Sequence, residues 1–237
     1  PESNLINKQP RINPFVGLYP IPSVYGLTIG ELAMMIVDKS WMKSSTYFEV
    51  IPMIGWKRSM HYEKTGLPWL PPSPNIPDLE TTIVYPATVL FEATNISEGR
   101  GTNRPFKQIG APWINNHVLA EKLNARNLLG VNFEPVSFIP TSIKGVAPNP
   151  KYQNIECFGV ELIITDRKLF SPIEVGIWVL REIFTQNKNE IKINESSMNR
   201  LFGSERLILA LNNEKLIVEL LNILREEGTI FAQLSQK

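Results

Sequence analysis

The sequence predicts an α+β protein in which a short helix–strand remnant of an α/β unit precedes a separate mixed domain. Three observations carry that expectation. Residues 28–37 read as a strongly capped helix, and one strand-like run follows with no further βα repeat. Two strand patterns and a capped helix lie between residues 115 and 165, and from Ser171 onward the pattern is helical.

Taken in order, residues 1–27 read as extended coil, broken by Pro10, Pro14, Pro20 and Pro22. Thr28 and Glu31 then have the spacing of a capping box. Behind them Ile29, Leu32, Ala33, Ile36 and Val37 recur at helical spacing. Tyr47–Met53 reads as a buried strand. Residues 55–80, rich in Pro and Trp, are the best boundary, so the chain divides into units 1–65 and 66–237.

Ile83–Ala93 fits either a strand or a helix. Asn caps open a helix over Asn115–Leu129 that stops near Gly130. Val131–Ile139 is a strand placed at an edge by Pro135. Glu156–Thr165 is a second strand, alternating through Phe158, Val160, Leu162 and Ile164. Ser171-Pro172-Ile173-Glu174 opens a helix with a capping box and Pro at the first helical position. Further helices are expected over roughly 196–202, 204–211 and 213–227, the last presenting Leu216, Ile217, Leu220, Leu221 and Leu224 on one face.

Bulk properties narrow the function. The 237 residues are 43% apolar, enough for one large domain or two small ones. Basic and acidic residues number 24 and 23, which leaves no footprint for general nucleic-acid binding. No apolar run approaches the roughly 20 residues of a membrane span. His61 and His117 are far apart in sequence and form no ligand-spaced cluster with the single Cys157, so no metal site and no cofactor are expected. Cys157 begins an apolar strand and reads as a buried, inert thiol.

The chemistry gathers in residues 91–106. Glu92, Asn95, Ser97, Glu98, Arg100, Thr102, Asn103 and Arg104 follow an apolar lead-in, and Gly99 and Gly101 bracket Arg100. Glycine lets backbone approach a ligand closely, and arginine offers a planar five-donor fork for carboxylates. Two readings stand: a polar ligand site, or a loop stapled by its own Glu–Arg pairs. Glu92 and Glu98 are the candidate acids, six positions apart, and share a face only if the intervening backbone turns. Trp56, Trp69 and Trp113 offer apolar faces for a ligand ring or ordinary core packing. Asn75, between two prolines, is a ligand contact or a turn residue.

Ser97-Glu98-Gly99-Arg100-Gly101-Thr102, then Arg104-Pro105-Phe106 and Gly110-Ala111-Pro112-Trp113, resemble the signature of the NamZ/YbbC-like exo-β-N-acetylmuramidase family. Tyr25–Ala33, Gly55–Arg58, Gly66–Trp69, Ser73–Pro77 and Val84–Pro86 match in the same order. Tyr25 stands where the family usually has His, and Ala87 and Ala93 where Gly is common.

The resemblance implies a peptidoglycan-processing glycosidase that removes terminal N-acetylmuramic acid. Asn75, Glu98, Arg100, Thr102, Arg104 and Trp56 would then bind substrate. It also implies a periplasmic or secreted location. Family members are longer and open with a Rossmann-like domain that carries a Pro-Glu-His-Gly motif. That motif does not occur in these 237 residues, so the chain is expected to be a C-terminal portion, inactive alone, whose partner is the N-terminal domain or chain. The alternatives are a wall-sugar binding or assembly module without catalysis, and a purely structural domain.

Overall fold

A computed structural model describes residues 19, 21–42 and 47–235. Most of the predicted N-terminal coil, 1–18 and residue 20, lies outside the described residues. The fold is mixed α+β around a small antiparallel sheet.

Helix α1 (Ile29–Asp38) forms as its capping box dictates: the Thr28 hydroxyl accepts from Glu31 N–H, and the Glu31 carboxylate accepts from Thr28 N–H at 2.7 Å. The strand expected at Tyr47–Met53 does not form. Those residues are irregular and no described strand pairs with them. A strand without a ladder partner has nowhere to place its backbone hydrogen bonds, so apolar patterning alone does not make one. Ile51 is 89% exposed and Ile54 99%.

Residues 83–93 resolve as helix. Asp78 caps α2 (Leu79–Thr88), accepting from Thr81 N–H at 2.8 Å, and a 3₁₀ turn continues over Val89–Ala93. Pro86 sits inside α2 and lacks the N–H for a full ladder. That interruption blurs the period that sequence reading depends on.

The sheet comprises β1 (Gln108–Ala111), β2 (Val131–Phe138) and β3 (Cys157–Ile164), in the order β1-β3-β2, all antiparallel. Strand β1 is an element the sequence pattern did not show, being four residues long and buried throughout. Helix α3 (Asn116–Ala125), shorter than the expected 115–129, packs on β2 and β3. From it, Asn124 accepts from Phe133 N–H at 2.9 Å and donates to Phe133 C=O at 2.8 Å, closing the free edge of β2.

Helices α4 (Pro172–Gln186), α5 (Glu195–Phe202), α6 (Arg206–Ala210) and α7 (Glu214–Leu234) complete the fold. Pro172 opens α4 as expected, but the Ser171 capping box is absent. The Glu174 carboxylate is instead held by Arg225 of α7, at 2.9 Å to each oxygen. Helix α7 runs past the expected 227 to Leu234, and it buries Ile217, Leu220 and Leu221 as their spacing predicts. One contiguous core joins α2, the sheet and α3 to α7.

Helices α2 and α4 cross closely at Gly176, where a built Cβ would lie 2.2 Å from the Ala87 carbonyl oxygen. Gly176→Ala should therefore destabilise the protein by about 1–3 kcal/mol, the usual cost of overpacking a dense core. Thermal melting of the variant checks this, and an unchanged melting temperature would show that the crossing relaxes freely.

Candidate functional site

The loop after the 3₁₀ turn is built onto the sheet. Ser97 pairs with Gly110 of β1 through both backbone groups, at 2.8 and 2.9 Å. Beyond it the chain turns through Gly99 and Gly101, both at positive φ. A Cβ on Gly101 would come within 2.5 Å of the Thr141 carbonyl oxygen, so close approach as well as conformation selects glycine there. Thr102 closes the turn: its hydroxyl donates to Gly99 C=O at 2.7 Å and accepts from Arg104 N–H and Gln108 Nε2 at 3.0 Å each. The turn's own hydrogen bonds thus engage Thr102.

Charges converge around Arg100. Its guanidinium pairs with Glu92, lies 3.4 Å from Glu98 Oε1, and sits over the Phe106 ring at 5.1 Å. Behind it, Lys151 donates to Glu98 Oε2 at 2.9 Å and to the carbonyls of Phe91 and Ile96 at 2.7 and 3.0 Å. Two carboxyls and two cations form one cluster. Burial raises the proton affinity of Glu92 above the ordinary carboxyl range; nearby Glu98 adds to this, while Arg100 and Lys151 oppose it. Burial, aided by Glu92, likewise pushes the Tyr85 phenol up.

A cleft of about 260 Å³ opens beside this cluster, lined by Pro72, Asn75, Ile76, Tyr85, Arg100 and Phe106, with Ser73 and Thr82. Tyr85 and Phe106 meet edge to face with ring centres 4.8 Å apart. Of the residues singled out from sequence, Asn75 and Arg100 line the cleft, and Glu92 and Glu98 hold Arg100 from behind. Arg104 is turned to a different task, paired with the buried Glu161 of β3. Trp56 lies outside the cleft lining, with Arg58 above its ring at 5.6 Å.

Tyr85, Phe106 and Lys151 were not identified as site residues from sequence. Tyr85 and Phe106 stand inside the recognised motif segments, which was the available signal. Lys151 gave none, lying 53 residues beyond the carboxylate it holds.

Cys157 is buried, and desolvation pushes its thiol up to about 12, consistent with an inert side chain. Among the described residues no group of three or more His, Cys, Asp or Glu is arranged to hold a metal ion, and no helix is long and apolar enough to cross a membrane.

Comparison with known proteins gives consistent matches. The family model described as "Exo-beta-N-acetylmuramidase NamZ, C-terminal" matches residues 83–237, and its N-terminal counterpart matches residues 6–80. A relative from Bacillus subtilis, named peptidoglycan beta-N-acetylmuramidase NamZ, is 40% identical over 215 residues. That match spans 90% of this chain but only 50% of the relative, so the chain covers about half the relative's length. Two crystal structures of DUF1343 family proteins from Bacteroides fragilis also match. One has a TM-score of 0.85 at 26% identity, covering 96% of this chain and 61% of that one. The other has a TM-score of 0.58 at 27% identity, covering 93% and 57%.

Two outcomes are expected from the cluster. Lys151→Met leaves Glu98, 5% exposed, short of its main cation, and should cost about 3 kcal/mol in a denaturant titration. A loss below about 0.5 kcal/mol would remove Lys151 from its role as clamp. Glu92 concerns pH. Its folded form binds a proton more tightly than the unfolded chain, so its contribution favours folding at low pH. That contribution is lost as pH rises from the ordinary carboxyl value, about 4.3, through the raised one. Glu92→Gln should flatten that part of the melting-temperature profile; an unaltered profile would place Glu92 in a water-like environment.

Proposed function

Because the chain belongs to the NamZ exo-β-N-acetylmuramidase family, we propose that it forms the sugar-receiving part of a peptidoglycan-processing glycoside hydrolase. The cleft seats a terminal N-acetylmuramic acid released from the non-reducing end of wall fragments, and the protein works in the periplasm or outside the cell. The observation that carries this reading is Arg100, a part-exposed guanidinium set over the buried Phe106 ring at the wall of a small cleft that Tyr85 also lines.

That arrangement suits the substrate. N-acetylmuramic acid bears a lactyl carboxylate on a sugar ring, and arginine binds carboxylates through a two-pronged fork. A cleft of about 260 Å³ falls just below the roughly 300–1,000 Å³ typical of ligand pockets, which fits one terminal sugar better than a long glycan. Glu92 is the nearest candidate for a first carboxyl: burial favours its protonated form, while in this structure it pairs with Arg100 and stands outside the cleft lining.

A glycosidase of this kind needs a second carboxyl across the scissile bond. In this reading it comes from the part of the family's length that the chain does not span, and that partner also covers the apolar surface of α1 and residues 47–56. Ile29, Ile51 and Ile54 are 83%, 89% and 99% exposed here, more than a solvated face would ordinarily leave in one region. On this division of labour the chain by itself releases no chromophore from a chromogenic N-acetylmuramide. Turnover matching a complete family member would place both carboxyls in this chain, with Glu92 and Glu98 first to be replaced.

Arg100→Lys tests the sugar site. It should weaken binding of N-acetylmuramic acid by about tenfold, because lysine cannot reproduce the fork, while leaving N-acetylglucosamine binding unchanged. Calorimetric titration and melting of both proteins make the comparison. A large fall in melting temperature with unaltered affinity would mean that Arg100 is a staple for Glu92 and Glu98 and nothing more.

A further inference from the structure

Asn75 is the residue of the cleft whose chemistry is incomplete. It lies between Pro74 and Pro77, and its backbone is held by Ser73: Asn75 N–H donates to Ser73 Oγ at 3.3 Å, and Ile76 N–H to Ser73 C=O at 2.8 Å. Its side-chain Nδ2 donates to the Val146 carbonyl at 2.9 Å. That bond fixes which way the amide points, since the flipped orientation would set two carbonyl oxygens against each other. The Oδ1 is therefore held at the opposite end, buried and with no hydrogen-bond partner among the described residues. Asn75 as a whole is 7% exposed and lines the cleft.

A buried, unsatisfied acceptor costs about 1–3 kcal/mol. Such a cost is understandable where a bound ligand supplies the missing donor. The neighbouring wall is apolar: Pro72, Ile76, Tyr85 and Phe106 surround the same space. A fixed acceptor beside an apolar wall is complementary to a secondary amide bearing a methyl group. We propose that Asn75 reads the 2-acetamido group of the sugar: its Oδ1 accepts the amide N–H, and the acetyl methyl packs against Pro72 and Tyr85.

This inference rests on the sugar-binding reading above and assigns the group that decides which sugar is held. A free 2-amino sugar carries an ammonium, whose charge the apolar wall penalises. A 2-hydroxyl sugar can donate to Oδ1 but leaves the methyl seat empty. Both are discriminated against by one residue and one wall.

The test uses the full chain and titrates N-acetylmuramic acid and its deacetylated counterpart, muramic acid, which differ only at the 2-position. Wild type should prefer the acetylated sugar by about tenfold or more, as expected where a site is built to receive a hydrogen bond. Asn75→Ala should bring that ratio close to one. Asn75→Asp, of nearly the same shape, should shift preference towards the ammonium of muramic acid. Arg100→Lys should weaken both sugars together and leave the ratio intact. If wild type binds both sugars without preference, or if Asn75→Ala preserves the preference, the acetamido assignment falls while the sugar site stands. If neither sugar binds wild type, the sugar-binding reading falls and this assignment with it. Should Asn75→Ala not fold, the wild-type ratio and the Asn75→Asp shift still decide the matter.

Discussion

The geometry of the candidate site depends on a single ammonium group. Lys151 reaches from the long loop between β2 and β3 into the turn that follows the 3₁₀ segment, where Phe91 C=O, Ile96 C=O and the Glu98 carboxylate converge on it. Phe91 C=O already accepts from Thr94 N–H and Oγ1, at 3.0 and 2.8 Å, so Lys151 adds a further donor there, and the Glu98 carboxylate balances its charge at 2.9 Å. Glu98, fixed in this way, borders Arg100, and Arg100 forms part of the cleft wall. The wall of a cleft made by residues 72–106 is thus braced by a side chain that arrives much later in the sequence.

The same cluster bears on both readings of the loop's composition. Glu–Arg pairing does staple the loop, through Glu92 and Glu98 on Arg100 and Glu161 on Arg104. Stapling and binding are compatible because a guanidinium has donors on several edges, and Arg100 keeps 38% of its side chain exposed. Arg104 differs: its partner is a buried strand carboxylate, and its work is to hold the turn against β3. Two arginines separated by four positions therefore part ways according to which element their carboxylate belongs to.

What was legible in the sequence follows from whether the cause was local. The Thr28–Glu31 cap, the edge position of the Pro135 strand and the buried stripe of the last helix depend on neighbours within a few residues or on one strand's own pattern, and all three form. The Ser171–Glu174 pair has the same local signature, yet Arg225 from a distant helix claims the glutamate and the cap is absent. Tyr47–Met53 has the composition of a strand but no described ladder to join. Strand β1 escaped notice because four buried residues carry no alternation. In the site, Asn75 and Arg100 stood out by composition, whereas Lys151 owed its role to a contact that only the fold creates.

The sheet's two borders have a consequence for how the molecule behaves in concentrated solution. Ser97 occupies the β1 border, and Asn124 with Pro135 blunts the β2 border, so neither offers a free row of amides for a neighbouring molecule to zip onto. The exposed apolar side chains collect instead in residues 47–54, where Tyr47, Phe48, Ile51 and Ile54 face solvent, while Glu49 and Pro52 interrupt the run as a pairing edge. Residues charged on that segment alone, leaving the sheet untouched, would be the economical route to a well-behaved preparation.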